Sequence, residues 1–226
     1  LHGATDLPRW QALALDAADP LARFRDKFTR DNNVIYLAGN SLGPLPHATA
    51  GRVAKAVQAE WGESLVRGWN RHDWFGAPAR VGGKIAGLIG AAPDEVLVAD
   101  STSANLYKLV VAAMQARSDR SVVLSEPGDF PTDLYMLEGA VRSLGGGRRL
   151  DLRSGEALEA ALTRDVALLV LCHTHYRTGA VRDMAALTAK AQAAGAMVLW
   201  DLSHSTGVVE VDLNSCNADL AVGCGY

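Results

Sequence analysis

The 226-residue sequence is defined first by what it is short of. No apolar run approaches the roughly 18 residues that a bilayer-spanning helix needs, so no membrane partner is expected. There is no basic excess: 22 Lys and Arg stand against 25 Asp and Glu, for a formal net charge of -3. A surface made for nucleic acid or anionic lipid is therefore not expected either. Cysteine is sparse, and Cys172, Cys216 and Cys224 are odd in number and widely spaced, which fits a reducing, cytoplasmic setting without disulfides. The opening Leu1-His2-Gly3-Ala4 lacks the basic-then-apolar plan of a signal peptide. Lysine is scarce as well, with Lys27, Lys55, Lys84, Lys108 and Lys190 the only five. No internal repeat or low-complexity tract is visible.

What is present is a regular alternation. Helical spacing covers 9–28 with a break at Asp19-Pro20, and an Ala-rich stretch over 47–65 predicts a second helix. A short β-branched strand is expected at 34–37, running into the loop "GNSLG" (39–43), and a loop over 66–78. From residue 78 onward, helices are expected at 78–89, 103–115, 132–144, 155–162 and 184–194. Strands are expected at 95–99, 121–125, 148–152, 166–172, 196–200 and 219–222. "VALLVLC" and "AMVLW" are apolar throughout, which predicts strands buried on both faces. The expected fold class is α/β: a mostly parallel sheet covered by helices on both faces. "LGGGRRL" reads as a helix C-cap and turn rather than a phosphate loop.

In such sheets ligands bind beyond the carboxyl ends of the strands. After 95–99 comes Ser101-Thr102-Ser103, hydroxyls that open a helix. One hydroxyl suffices for an N-cap, and a run of them also suits a phosphate at the helix N-terminus. After 121–125 comes Phe130-Pro131-Thr132-Asp133, an aromatic ring at a helix start with an acid in the first turn. After 166–172 come His173 and His175, spaced to face one side, a pattern open to a metal pair or to ordinary hydrogen-bonded histidines. After 196–200 come Asp201 and His204, the acid following four apolar residues where a carboxylate needs a cationic or hydrogen-bonding partner. A phosphate hole, an aromatic platform and a buried acid together suit a flat cationic heterocycle with a phosphate arm. Pyridoxal 5'-phosphate is such a molecule.

Five stretches, "YLAGNSLGPLP" (36–46), "TSANLY" (102–107), "DFPTDLY" (129–135), "HYRTG" (175–179) and "DLSHSTG" (201–207), occur in this order. In that combination the sequence resembles kynureninase, a fold-type I enzyme dependent on pyridoxal phosphate. The resemblance implies hydrolysis of the Cβ–Cγ bond of L-kynurenine to anthranilate and L-alanine, a step of tryptophan catabolism, with 3-hydroxykynurenine as a related substrate. It implies that Thr102 and Ser103 hold the cofactor phosphate and that Phe130, with Pro131 and Thr132 beside it, stacks on the ring. Asp133 is implied near the cofactor hydroxyl, Asp201 as the pyridinium anchor and His204 as its companion. Tyr226 is implied as a group that contacts phosphate and moves protons. Cys172 stands where the family has a small hydroxyl residue, a departure from the pattern. Asn40, Ser41, Trp69 and His72 are candidate substrate contacts, and a homodimer is implied.

The ending "ADLAVGCGY" resembles the approach to the family's cofactor lysine, which would be residue 227. None of the five lysines present is placed to serve. The expectation is therefore a segment of a longer enzyme: 1–50 an N-terminal segment with the "GNSLG" loop, 51–226 most of the large domain, the small C-terminal domain absent. Three readings compete: another fold-type I enzyme, such as a cysteine desulfurase or aminotransferase; a metal hydrolase using His173, His175 and Asp201; and a non-enzymatic ligand-binding or interaction domain, for which the placement of Asp201 and His204 would be coincidental.

Overall fold

The computed structural model describes residues 7–31 and 33–226, so the opening Leu1–Ala4 lies outside the described residues. The chain divides into two compact units, 1–73 and 74–226.

In the first unit, α1 (Arg9–Ala18) stops where Asp19 Oδ1 accepts the Leu21 N–H, followed by a 3-10 segment at Ala22–Lys27. That is the break the Asp-Pro pair predicts. An isolated antiparallel bridge between Phe28 and Pro46 closes the base of the segment carrying "GNSLG". The strand expected at 34–37 does not form: no partner chain segment pairs with it among the described residues, and Tyr36 instead donates its hydroxyl to the Leu42 carbonyl at 2.6 Å. A strand is a property of a pair, so β-branched composition alone does not make one. Helix α2 (His47–Lys55) runs on into a π-helical stretch, Ala56–Glu63. The loop expected over 66–78 contains short helical turns, Leu65–Arg67 and α3 (Gly68–Arg71).

The second unit holds α4 (Ala77–Ile89), α5 (Thr102–Ala116), β1 (Val122–Ser125), α6 (Pro131–Leu144), β2 (Arg149–Leu152), α7 (Glu156–Ala160), β3 (Val166–Cys172), α8 (Met184–Ala193), β4 (Met197–Asp201) and β5 (Leu220–Val222). The sheet order is β2-β1-β3-β4-β5, and every pairing is parallel. Alternate side chains feed two cores. Val122, Leu124, Leu169, Leu171, Val198 and Trp200 pack with Ile89 of α4, Leu158 of α7 and Ala191 of α8. Val123, Leu168, Val170 and Leu199 pack with Leu106, Val110 and Met114 of α5 and Leu137 of α6. Helices cover both faces, as the apolar strands require. Each fully buried Leu or Val contributes roughly 1.5–3 kcal/mol relative to exposure. Trp200 is accommodated because its indole N–H donates to Thr188 Oγ1 at 3.1 Å.

A second expected strand is absent. Residues 95–99 form no ladder, and Leu97 and Val98 remain 65% and 43% exposed. The segment is nonetheless fixed: α4 crosses so close that a Cβ on Gly82 would collide with the Val96 carbonyl, and Asn105 Nδ2 donates to the Ala99 carbonyl at 2.5 Å. Alternating sequence supplied an extended chain, but no neighbour among the described residues turns it into sheet. The glycine cluster behaves as expected, with Gly145 closing α6 at φ 59°.

Candidate active site

The carboxyl ends of β1, β3 and β4 converge on one group of acids. Cys172 and Asp201 are register partners on β3 and β4, so their side chains emerge side by side. Asp133 reaches the same point from the first turn of α6, whose start is set by Phe130 at the N-cap and Pro131 at the first helical position. Cys172 Sγ lies 3.4 Å from Asp201 Oδ2 and 3.8 Å from Asp133 Oδ2, and all three residues are buried. Asp201 Oδ1 accepts both the N–H and the hydroxyl of Ser203, at 2.9 and 2.6 Å. Among the described residues no lysine or arginine pairs with Asp133 or Asp201.

The electrostatics follow from this crowding. Burial first, and then the neighbouring Asp201 charge, push Asp133 up to about 7 from an ordinary 3.8. Burial and the surrounding carboxylates push the Cys172 thiol far up, so it stays protonated and neutral. This thiol donates weakly where a hydroxyl would donate better, which is the physical content of the departure at this position. Asp129, also buried, is raised to about 6 by burial, against the opposing pull of Arg182.

The other expected contacts lie at the starts of α5 and α6 and in the segments after β4 and β5. Ser101, not Thr102 or Ser103, caps α5, accepting the Ala104 N–H at 3.2 Å. The cap and the phosphate reading thus fall on different residues: the half-buried Thr102 and Ser103 open the helix without being used by its cap. Phe130 is 37% exposed, with its ring edge-on to Tyr176 at 5.1 Å, so one side of the ring is not core. Thr132 is exposed in the first turn of α6. His204 and Tyr226 stack at 5.5 Å, with the phenol oxygen 3.0 Å from His204 Nδ1. His204 thus partners Tyr226 rather than Asp201. Burial, followed by the neighbouring Cys224, pushes the Tyr226 phenol above its ordinary value.

The two histidines after β3 do not form a pair. His173 Nδ1 lies 2.9 Å from Ser205 Oγ, while His175 stacks on Tyr176 and its Nδ1 accepts the Arg177 N–H. The potential metal ligands that do converge among the described residues, Asp133, Cys172 and Asp201, include neither histidine. Asn40, Ser41, Trp69 and His72 belong to the first unit. Asn40 and Ser41 are exposed in the turn where Ser41 N–H donates to the Ala38 carbonyl, Trp69 is 53% exposed, and His72 Nε2 meets Ser64 Oγ at 2.9 Å. Lys108 pairs with Asp100 and Lys190 with Glu159, both remote in role from the acid cluster.

Sequence reasoning missed Asp129, Ser203 and Arg182. Ser203 lies two residues beyond Asp201, and a carboxylate followed by Ser at that spacing is a local turn signal. Asp129 and Arg182 carry no local signal at all, because their meaning lies in contacts across the sheet.

Residues 79–225 match the aminotransferase class-V family. Over 223 residues the chain is 48% identical to a kynureninase of Burkholderia mallei (strain SAVP1) and 45% identical to one of Pseudomonas fluorescens. Each alignment covers 96% of this chain and 54% of the relative, so the chain spans about half the length of the curated relatives it matches. A solved apo cysteine desulfurase from Thermococcus onnurineus NA1 shares the fold with a TM-score of 0.72 at 19% identity, over 91% of this chain and 53% of that one. With the family match extending over most of the sequence and the parallel sheet beneath it, this chain belongs to the aminotransferase class-V family.

Proposed function

We propose that this chain is the cofactor-cradling part of a kynureninase that binds pyridoxal 5'-phosphate and hydrolyses L-kynurenine to anthranilate and L-alanine. The observation that carries the reading is the buried Asp201, whose cluster with Asp133 and Cys172 holds negative charge and no cation among the described residues. Ser203 satisfies one oxygen of Asp201, but the other faces only a weak thiol donor and a second acid, a costly arrangement that a ligand's positive charge relieves. The donor set therefore fits a protonated pyridine nitrogen. The similarity to kynureninases over 96% of the chain supports the choice of substrate.

When bound, pyridoxal phosphate supplies the electron sink that makes a carbanion on an amino-acid substrate accessible. Asp201 holds the ring nitrogen's proton in place, its own orientation fixed by Ser203. Asp133 accepts from or donates to the ring hydroxyl, as its raised affinity for a proton permits. Phe130 gives the ring a flat apolar seat, with Pro131 and Thr132 fixing the turn that presents it. Thr102 and Ser103 bind the phosphate at the amino end of α5, where the helix dipole favours negative charge. Tyr226, kept protonated by its surroundings and hydrogen-bonded with His204 across their 3.0 Å contact, is the group that would donate a proton beside the phosphate. Asn40, Ser41, Trp69 and His72 make the substrate contacts, with kynurenine and 3-hydroxykynurenine as the two candidates. The working enzyme is a cytoplasmic homodimer; large exposed apolar side chains such as Trp10, Ile35 and Phe75 support the association of subunits.

The deciding experiment incubates the full-length protein with L-kynurenine and follows anthranilate fluorescence. Anthranilate production with one alanine per turnover is expected. Turnover of cysteine or a keto acid without anthranilate would refute the assignment.

A further inference from the structure

The acid cluster is held from behind by residues that the proposed reaction does not use. Arg182, in the segment between β3 and α8, reaches over the ends of β3 and β1. Its Nε donates to the Cys172 carbonyl at 3.0 Å, and its Nη2 donates to Asp129 Oδ1 at 3.2 Å and also to Glu126. Asp129 Oδ2 accepts the Cys172 N–H at 3.2 Å. The ion pair therefore grips both main-chain polar groups of Cys172, the residue whose thiol sits between Asp133 and Asp201. The Arg182 N–H adds a bond to the His173 carbonyl at 3.0 Å. The arrangement is dry, with the Asp129 side chain 3% and the Arg182 side chain 21% exposed.

We infer that Arg182, acting through Asp129 and the Cys172 main chain, is a positioning residue that fixes where the Asp133–Cys172–Asp201 cluster presents its charge to the cofactor. The inference rests on the proposed cofactor reading. Cys172 is the last residue of β3, and a strand end without such a clasp has a carbonyl and an N–H to satisfy elsewhere. The guanidinium reaches the carbonyl from Nε and the two carboxylates from Nη2; a lysine in its place keeps the charge but must serve all three acceptors from one nitrogen.

The test uses the full-length protein, first as wild type. A wild type with no cofactor absorbance above about 400 nm refutes the cofactor reading itself. If the wild type loads, Arg182→Gln and Asp129→Asn are compared with it by titrating cofactor into the apoprotein. Alkylation of each cysteine is followed by peptide mapping. The expected result is cofactor affinity weakened by about tenfold or more, in line with loss of charge-assisted hydrogen bonds. Cys172 is expected to label faster while Cys216 and Cys224 keep their wild-type rates, with Arg182→Lys falling between. Wild-type affinity and Cys172 protection in both neutral variants would overturn the inference. So would equal acceleration at all three cysteines with unchanged affinity, since that describes general loosening. Should Arg182→Gln not fold, Asp129→Asn and Arg182→Lys decide by the same readings.

Discussion

Asp201→Asn provides the sharpest test of the crowded acids, because it separates what the cluster costs from what it does. Asp133 is raised from 3.8 to about 7, and a neighbour that contributes is the Asp201 charge. A carboxyl with a raised folded-state value binds its proton more tightly folded than unfolded. Stability is therefore lost as pH rises from about 4 through about 7 and stays lost above that. A rise of that size corresponds to about 4 kcal/mol at full ionisation. Burial is the larger cause and survives the substitution, so removing the Asp201 charge returns only a part of it. The amide can also turn its NH2 toward the Asp133 carboxylate while its oxygen keeps the Ser203 bonds. The assay is urea unfolding of the cofactor-free, full-length protein at pH 5 and pH 8, comparing the stability difference between the two pH values. That difference cancels any pH-independent change at Ser203 and the contribution of Asp129. The variant is expected to lose less stability on going to pH 8 than the wild type, while its turnover with cofactor collapses because an amide cannot hold the ring proton. An equal loss in both proteins would refute the mutual charging of the two acids.

Phe130→Ala, at a half-open ring beside Tyr176, is expected to speed cofactor loss on dialysis without lowering the unfolding temperature much; unchanged occupancy would make the ring mere packing. Ser101→Ala removes the α5 cap and is expected to cost about 1 kcal/mol, whereas Thr102→Val leaves stability intact and weakens cofactor binding, as denaturation and titration would separately report. Gly90 closes α4 at φ 62°, where a Cβ would lie 2.5 Å from the Asp212 Cα. Gly90→Ala is expected to destabilise by more than about 2 kcal/mol by thermal unfolding.

The parallel sheet was legible because its strands carry their environment in their composition: β3 is apolar at every position and is buried at every position. The segments at 34–37 and 95–99 have the same local character but no neighbour to pair with among the described residues. Nothing in a local window distinguishes the two cases. Asp201 was legible as an acid at the end of an apolar run, and Phe130 and Asp133 as a helix start. Their meeting with Cys172 was legible only through the resemblance, since register between β3 and β4 is set by the packing of the whole sheet. Arg182 was invisible for the same reason. An arginine in a loop is ordinary until the main chain it grips is known.

The sheet order also bears on how the protein is made. Asp129 and Asp133 follow β1, Cys172 ends β3 and Asp201 ends β4, so the acids meet only once three strands distant in the chain have paired. Parallel pairing of this kind closes long loops before any contact rewards them, and it is slow for that reason. Repulsion between Asp133 and Asp201 opposes that meeting more at neutral pH than in mild acid. Refolding of the full-length apoprotein is therefore expected to be faster near pH 5 than near pH 8.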